Sequence, residues 1–163
     1  MDSAIIDAMP KPADTVASNG GSRAPALTDD LSFLLARANA ISLAAGNAAL
    51  ATHGLKARSY AVLLLTTDDA RPSQREIAEF LRLDPSQVVS LVDDLQSRGL
   101  VERRTDPADR RANVVVATDA GRQLAAVARE SARSAEEQVH RQLTPNERQT
   151  LTALLRILAF PEP

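Results

Sequence analysis

Ser73-Gln74-Arg75-Glu76-Ile77-Ala78-Glu79-Phe80-Leu81-Arg82-Leu83-Asp84-Pro85-Ser86-Gln87-Val88-Val89-Ser90-Leu91-Val92-Asp93-Asp94-Leu95-Gln96-Ser97-Arg98-Gly99 is the stretch that decides the fold. Ser73 with Glu76 three residues on spells a capping box, and Ile77, Phe80 and Leu81 form the buried face of the short helix it opens. Leu83-Asp84-Pro85 follows at once, with Asp84 as N-cap and Pro85 at the first helical position. The next helix carries Val88, Leu91, Val92 and Leu95 at i, i+3, i+4 and i+7, an apolar stripe that must pack. Gly99 stops it at the position that favours glycine. The reading is two short helices joined by a tight turn, the second showing Ser86, Gln87, Val89 and Ser90 on its outer face.

Downstream, Leu100 to Thr105 can be a strand and Val114-Val115-Val116 its partner, with a charged turn, Asp106-Pro107-Ala108-Asp109-Arg110-Arg111, between them. Thr118 caps a long Ala-rich helix reaching about Leu143. Thr144-Pro145-Asn146-Glu147 opens a last helix with Leu151, Leu154, Leu155 and Leu158 turned inward. Upstream, Thr28 to about Thr52 reads as a long helix, with Thr28 as N-cap and Leu31, Leu34, Leu35, Ala38, Ile41 and Ala45 at helical spacing. Gly54 ends it. A further helix runs from Ala57 to Thr66 with Tyr60, Leu63 and Leu64 on one face, and 68–72 is a turn. The expected fold is mainly α: a winged helix-turn-helix with a two-stranded β-wing, flanked by long helices. Residues 1–26 read as a flexible tail rich in Pro, Gly and Ser, in which Ile5, Ile6 and Met9 offer some apolar surface for docking. Residues 27–163 read as one domain.

Of the 163 residues 44% are hydrophobic and 25% charged, which suits a soluble globular chain; aromatics are only 2%, so Ala, Leu and Val must fill the core. The net charge is −2, so any nucleic-acid contact needs a local basic patch. From Arg71 to Arg111 eight arginines face eight acids; from Arg103 to Arg111 four arginines face two aspartates, which makes the wing the positive feature. Cysteine is absent, which excludes disulfides and thiol chemistry. No signal peptide is read at the start and no stretch is read as approaching membrane-spanning length, so the expectation is a cytoplasmic protein without a membrane partner.

The first turns of the second helix of such a pair are the part that reaches base edges. Gln87 can pair with adenine, Ser86 and Ser90 can bond several edges, and Val89 can meet a thymine methyl. Pro85 and the capped helix start would aim backbone N–H groups at a phosphate. Asp93 and Asp94, one turn on, must sit beside or above the groove. Ser73 and Arg75, opening the first short helix, complete this half of the candidate set. The competing reading of the same polar face is a helical protein–protein interaction module that does not bind DNA. His53 and His140 have no metal-ligand spacing, and no nucleophile elbow or phosphate-cradling loop is present. The expectation is no enzyme, no cofactor and no metal.

Ser73-Gln74-Arg75-Glu76-Ile77-Ala78, the run Val88 to Leu95, and Arg98-Gly99-Leu100-Val101-Glu102-Arg103 resemble the core of the MarR family of regulators. Its most specific signature is the wing, Asp106 to Ala112, where Asp109 and Arg111 match Asp-x-Arg, followed by Thr118 and Gly121 matching Thr-x-x-Gly. The resemblance covers roughly residues 28–160. Ser90 and Asp94 depart from it, since many relatives carry longer polar or basic side chains there. The resemblance implies a homodimer built from the first and last two helices (27–54 and 118–160), with the winged part (57–117) binding a pseudo-palindromic double-stranded operator. It implies that Arg111, with Arg110, reaches the minor groove, and that the regulator is a repressor. It also implies a small aromatic effector, often phenolic, in a pocket drawing on Arg37, His53, Arg58 or Tyr60. The plainer reading of Tyr60 is core packing with its hydroxyl at the edge.

Overall fold

A computed structural model describes residues 26–68, 70–106 and 112–161. The chain divides into two compact units, Met1–Leu34 and Leu35–Pro163. A 3₁₀ turn, Ala26–Asp29, is followed by helices α1 (Leu31–Ala51), α2 (Ala57–Leu65), α3 (Gln74–Leu81) and α4 (Pro85–Ser97). Strands β1 (Val101–Thr105) and β2 (Asn113–Ala117) come next, then α5 (Asp119–Val139) and α6 (Pro145–Ala159). The strands pair antiparallel, Val101 opposite Ala117 and Thr105 opposite Asn113. This is the winged helix-turn-helix order that the sequence predicts.

The core lies where α2, α4, β1, β2 and the start of α5 meet. Val62, Leu63, Ile77, Val88, Val92 and Leu95 are wholly buried, and Leu50, Leu55, Val101, Val115 and Ala128 join them. With few aromatics, close approach replaces bulk. Gly121 shows this best: a Cβ there would stand 1.9 Å from the Leu100 carbonyl oxygen. Thr118 Oγ accepts from the Gly121 amide (3.1 Å) and donates to the Gly99 carbonyl (2.7 Å), while its own amide donates to Leu100 (3.0 Å). The Thr-x-x-Gly signature is therefore the weld between the end of α4, the start of β1 and the first turn of α5. The free edge of β2 is used as well. Val115 N donates to Pro72 O and Ala117 N to Thr66 O, each at 2.9 Å, so the loop between α2 and α3 holds the wing from its other side.

Several expectations need correction. Phe80 is 56% exposed and stacks at a tilt on Phe160, ring centroids 5.8 Å apart. It lies roughly 100° around α3 from the face shared by Ile77, Ala78 and Leu81. Leu91 is half-buried, flanking the stripe of Val88, Val92 and Leu95. The N-cap of α1 is Asp30, whose Oδ1 accepts from Phe33 N at 2.7 Å, while Thr28 lies in the 3₁₀ turn. α5 ends at Val139 rather than near Leu143: His140 is its C-cap, and the chain then closes a tight turn in which Leu143 N donates to His140 O at 3.0 Å. Leu151, Leu154, Leu155 and Leu158 do not face inward: all are exposed, and α6 has no buried residue. α1, at 21 residues and mean hydropathy 1.2, is long and apolar enough to cross a membrane by length and composition, contrary to the expectation that no stretch is.

Candidate nucleic-acid interface

The reading head is built from caps. Ser73 Oγ accepts from Glu76 N at 3.2 Å, and Glu76 Oε2 accepts from Ser73 N (2.7 Å) and from its hydroxyl (2.8 Å). These bonds hold the Glu76 carboxyl below its ordinary pKa, the backbone bond first. Both donors of Ser73 are thus committed to the cap. Arg75 is highly exposed but paired with Glu79 at 2.8 Å. Arg82 N bonds Glu79 O and Leu83 N bonds Ala78 O, which closes α3 with Arg82 in the left-handed region at φ 51°.

Asp84 then caps α4, its Oδ1 accepting from Ser86 N (2.8 Å) and Ser86 Oγ (2.5 Å). The hydroxyl bond, with the backbone bond behind it, depresses the Asp84 pKa. A carboxylate therefore already occupies the start of α4, and the amides of Gln87 and Val88 bond Asp84 O. This overturns the expectation that this helix start offers its N–H groups to a phosphate. Ser90 Oγ donates to Ser86 O at 3.1 Å. On the outer face, Ser86 and Ser90 thus spend their hydroxyl protons inside the chain. Gln87 is exposed and its side chain makes no hydrogen bond among the described residues; Val89 is exposed beside it.

Asp93 on α4 is exposed, and a strand residue holds it. Arg103 on β1 forks three ways: Nε donates to Gln74 Oε1 (3.0 Å), Nη1 to Gln96 Oε1 (2.6 Å) and Nη2 to Asp93 Oδ1 (2.6 Å). One guanidinium thus ties the wing to both helices of the pair. Asp94 pairs with Arg98 at 3.4 Å, whose Nη1 also reaches Gly54 O at 3.0 Å. Arg104 pairs with Glu102. The positive charge counted over Arg103–Arg111 is therefore neutralised at its first two members. Arg110 and Arg111 lie outside the described residues. In the sequence Arg103 counts as a wing charge and as part of the family-like run 98–103; the signal for its clamp is the acidic pair Asp93-Asp94 on α4 opposite a basic strand.

The four residues named for an effector have different surroundings. His53 Nε2 bonds Ser131 Oγ on α5 at 2.8 Å. Tyr60 is half-buried against the core. Arg37 and Arg58 are exposed and carry no ion pair among the described residues. A cavity of about 320 Å³ between α1 and α5, lined by Ser42, Gly46, Ala132, Glu136, Val139 and His140, includes none of the four.

An arrangement of capped helix pair, clamped hairpin and flanking long helices defines a winged helix-turn-helix protein. Residues 53–112 match the sequence profile of the MarR family. A MarR-family transcriptional regulator from Rhodococcus sp. RHA1 is 39% identical, with 85% of this chain and 99% of that one aligned at TM-score 0.78. CouR from Rhodococcus jostii RHA1, solved bound to p-coumaroyl-CoA, is 40% identical over 85% of this chain and 98% of its own, at TM-score 0.79. A transcriptional repressor CouR bound to a 23-mer DNA duplex is 28% identical over 86% and 99%, at TM-score 0.78. A protein of Thauera aromatica named for transcriptional regulation of the hcr operon is 30% identical over 107 residues. That match takes in 66% of this chain and spans 64% of the Thauera protein's length. The chain belongs to the MarR family.

Proposed function

We propose that this chain is a homodimeric, sequence-specific DNA-binding regulator, a repressor of a gene beside its pseudo-palindromic operator. The observation that carries this is the outer face of α4. Gln87 and Val89 stand unengaged at the opening of a helix whose orientation Arg103 locks to the wing, the geometry needed to present side chains to base edges. The repressor CouR on a 23-mer duplex supports the same reading. Residues 57–117 would read the duplex, with Ser73, Arg75, Ser86, Gln87, Val89, Ser90, Arg110 and Arg111 as its contact set. Segments 27–54 and 118–160 would pair the two copies, a role supported by the exposed apolar side chains of α6.

The effector we propose is a coenzyme A thioester of a phenolic acid. The likeness to a CouR solved with p-coumaroyl-CoA supports it. So does the chemistry of the chain: aromatic side chains are scarce, one Tyr, three Phe and no Trp, whereas Arg37 and Arg58, exposed and without an ion pair among the described residues, suit the phosphates of coenzyme A. His53 and Tyr60 would line the acyl end.

Selection of duplexes from a randomised pool, followed by titration of the complex with p-coumaroyl-CoA, p-coumaric acid and coenzyme A, tests both parts. The expected operator has half-sites one helical turn apart, roughly 34 Å. The thioester should weaken binding about a hundredfold if it prefers the DNA-incompetent dimer tenfold at each of two sites. No enrichment from the pool would remove the DNA reading. Enrichment with no response to any of the three compounds would remove only the effector.

A further inference from the structure

The winged part holds seven described arginines between residues 57 and 117: Arg58, Arg71, Arg75, Arg82, Arg98, Arg103 and Arg104. Four are neutralised by carboxylates within the chain, Arg75 by Glu79, Arg98 by Asp94, Arg103 by Asp93 and Arg104 by Glu102. Two of the remaining three bracket α3. Arg71 stands two residues before its Ser73 cap and Arg82 at its end, both exposed and neither side chain making an ion pair or hydrogen bond among the described residues. The acids flanking Arg82 in sequence are engaged elsewhere, Glu79 by Arg75 and Asp84 by Ser86.

Their backbones are also unusual. Arg71 (φ 44°) and Arg82 (φ 51°) are the non-glycine residues in the left-handed region among those described. The closure at Arg82, with its N–H to the residue three back and the next N–H to the residue five back, recurs at Gly54 and Gly99. At those two the chain uses glycine, at φ 65° and 68°. A side chain in this region carries a conformational cost that glycine avoids, and such cost tends to persist where the side chain has a use. Arg71 is tied into the reading head as well, since the neighbouring Pro72 carbonyl accepts from Val115 of β2.

We infer that Arg71 and Arg82 are backbone clamps, each taking a DNA phosphate at one end of α3, and that they supply the attraction which the neutralised arginines do not. This rests on the DNA-binding reading above. Guanidinium forks suit phosphate oxygens, and phosphate contacts add affinity without sequence preference.

The test uses the full-length protein, a duplex it has selected from a randomised pool, and a mixed-sequence duplex, with affinity measured from 50 to 200 mM salt. Arg71→Gln and Arg82→Gln should each weaken binding to both duplexes. Each removes one contact per protomer, so the salt slope should fall by about 1.8, and the loss of affinity across that salt range should shrink about 12-fold. Arg82→Gly removes the charge while suiting the backbone; it should show the same slope change with a thermal midpoint at or above the parent's, which separates lost contact from lost fold. Lys56→Gln, at the exposed start of α2 and outside both the duplex-reading and the pairing segments, should keep the parent slope. Parent slopes in the Arg71 and Arg82 variants would overturn the assignment alone. A parent with no salt-dependent binding to either duplex would overturn the DNA reading with it.

Discussion

Nη2 of Arg103 on β1 lies 2.6 Å from Oδ1 of Asp93 on α4, so the wing and the reading helix are joined through a single charged pair. The Arg103 side chain is 27% exposed and its other two nitrogens reach Gln96 and Gln74. Removing it would leave three acceptors without their donor, Gln74, Gln96 and Asp93, the last an unopposed charge on α4. Arg103→Met should cost about 1–2 kcal/mol in a denaturant unfolding experiment, the partial exposure keeping it below the value for a buried pair. It should also weaken duplex binding, and Asp93→Asn in the same background should recover part of that binding by removing the unopposed charge. An unchanged unfolding midpoint in Arg103→Met would show that the clamp does not hold the wing.

Gly121 is intolerant for a reason of space. With the Leu100 carbonyl oxygen 1.9 Å from where a Cβ would sit, Gly121→Ala must move backbone against backbone. We expect a loss of about 3 kcal/mol or more, or a protein that does not accumulate folded. Gly46, whose Cβ would meet nothing within 4 Å, is the contrast. Gly46→Ala lies inside α1 and should stabilise by up to about 1 kcal/mol through helix propensity. Comparable thermal midpoints for the two variants would contradict the packing argument.

Local signals in the sequence carried most of the architecture because each is a short-range chemical fact. Ser73 with Glu76 and Thr144 with Glu147 form reciprocal caps as read, and Asp84 with Pro85 opens α4. Periodicity was less reliable where its direction mattered. Phe80 fits an i, i+3 stripe from Ile77, yet the core face of so short a helix centres on Ile77 and Ala78, with Leu81 half-buried beside them, which leaves Phe80 to Phe160. The α6 leucines show the same gap: an apolar stripe says that a face will be covered, and not by what. Within the site, exposure on α4 was legible. The carboxylate already filling the α4 start, and the cancellation of Arg103, were not, because both depend on which partner a charge meets in space.

Acid should act on three of these caps together. Glu76, Asp84 and Glu147 have pKa values lowered by hydrogen bonds from Ser73, Ser86 and Thr144: the backbone bond leads at Glu76 and Glu147, the hydroxyl bond at Asp84. A folded-state pKa below the unfolded one means that the stabilisation is fully present above the unfolded value, about 4, and is lost as pH falls through the folded value. The thermal midpoint should hold steady across pH 5–7 as far as these groups are concerned and decline below about pH 4. The triple variant Glu76→Gln, Asp84→Asn, Glu147→Gln keeps an acceptor at each cap but cannot titrate, so its decline should be shallower. An equally steep decline would mean that other carboxylates govern acid unfolding.

The bare face of α6 sets the last expectation. Leu154 and Leu158 are 51% and 60% exposed, Ile157 lies beside them, and α1 shows Leu35, Ile41 and Leu43 in the same condition. Exposed apolar side chains recurring along a helix in this way mark an interaction site. If the partner is a second copy across a two-fold axis, each substitution acts twice, once from each protomer. Burying a leucine contributes about 1.5–3 kcal/mol, so Leu154→Glu with Leu158→Glu should raise the dimer dissociation constant at least a thousandfold. Sedimentation equilibrium at micromolar concentration should find the parent a dimer and the double variant a monomer. The winged core, built from Val62, Leu63, Ile77, Val88, Val92 and Leu95, does not depend on α6 and should stay folded. Duplex affinity should then drop steeply, because one protomer reads only one half-site. A parent that sediments as a folded monomer would assign this face to some other partner.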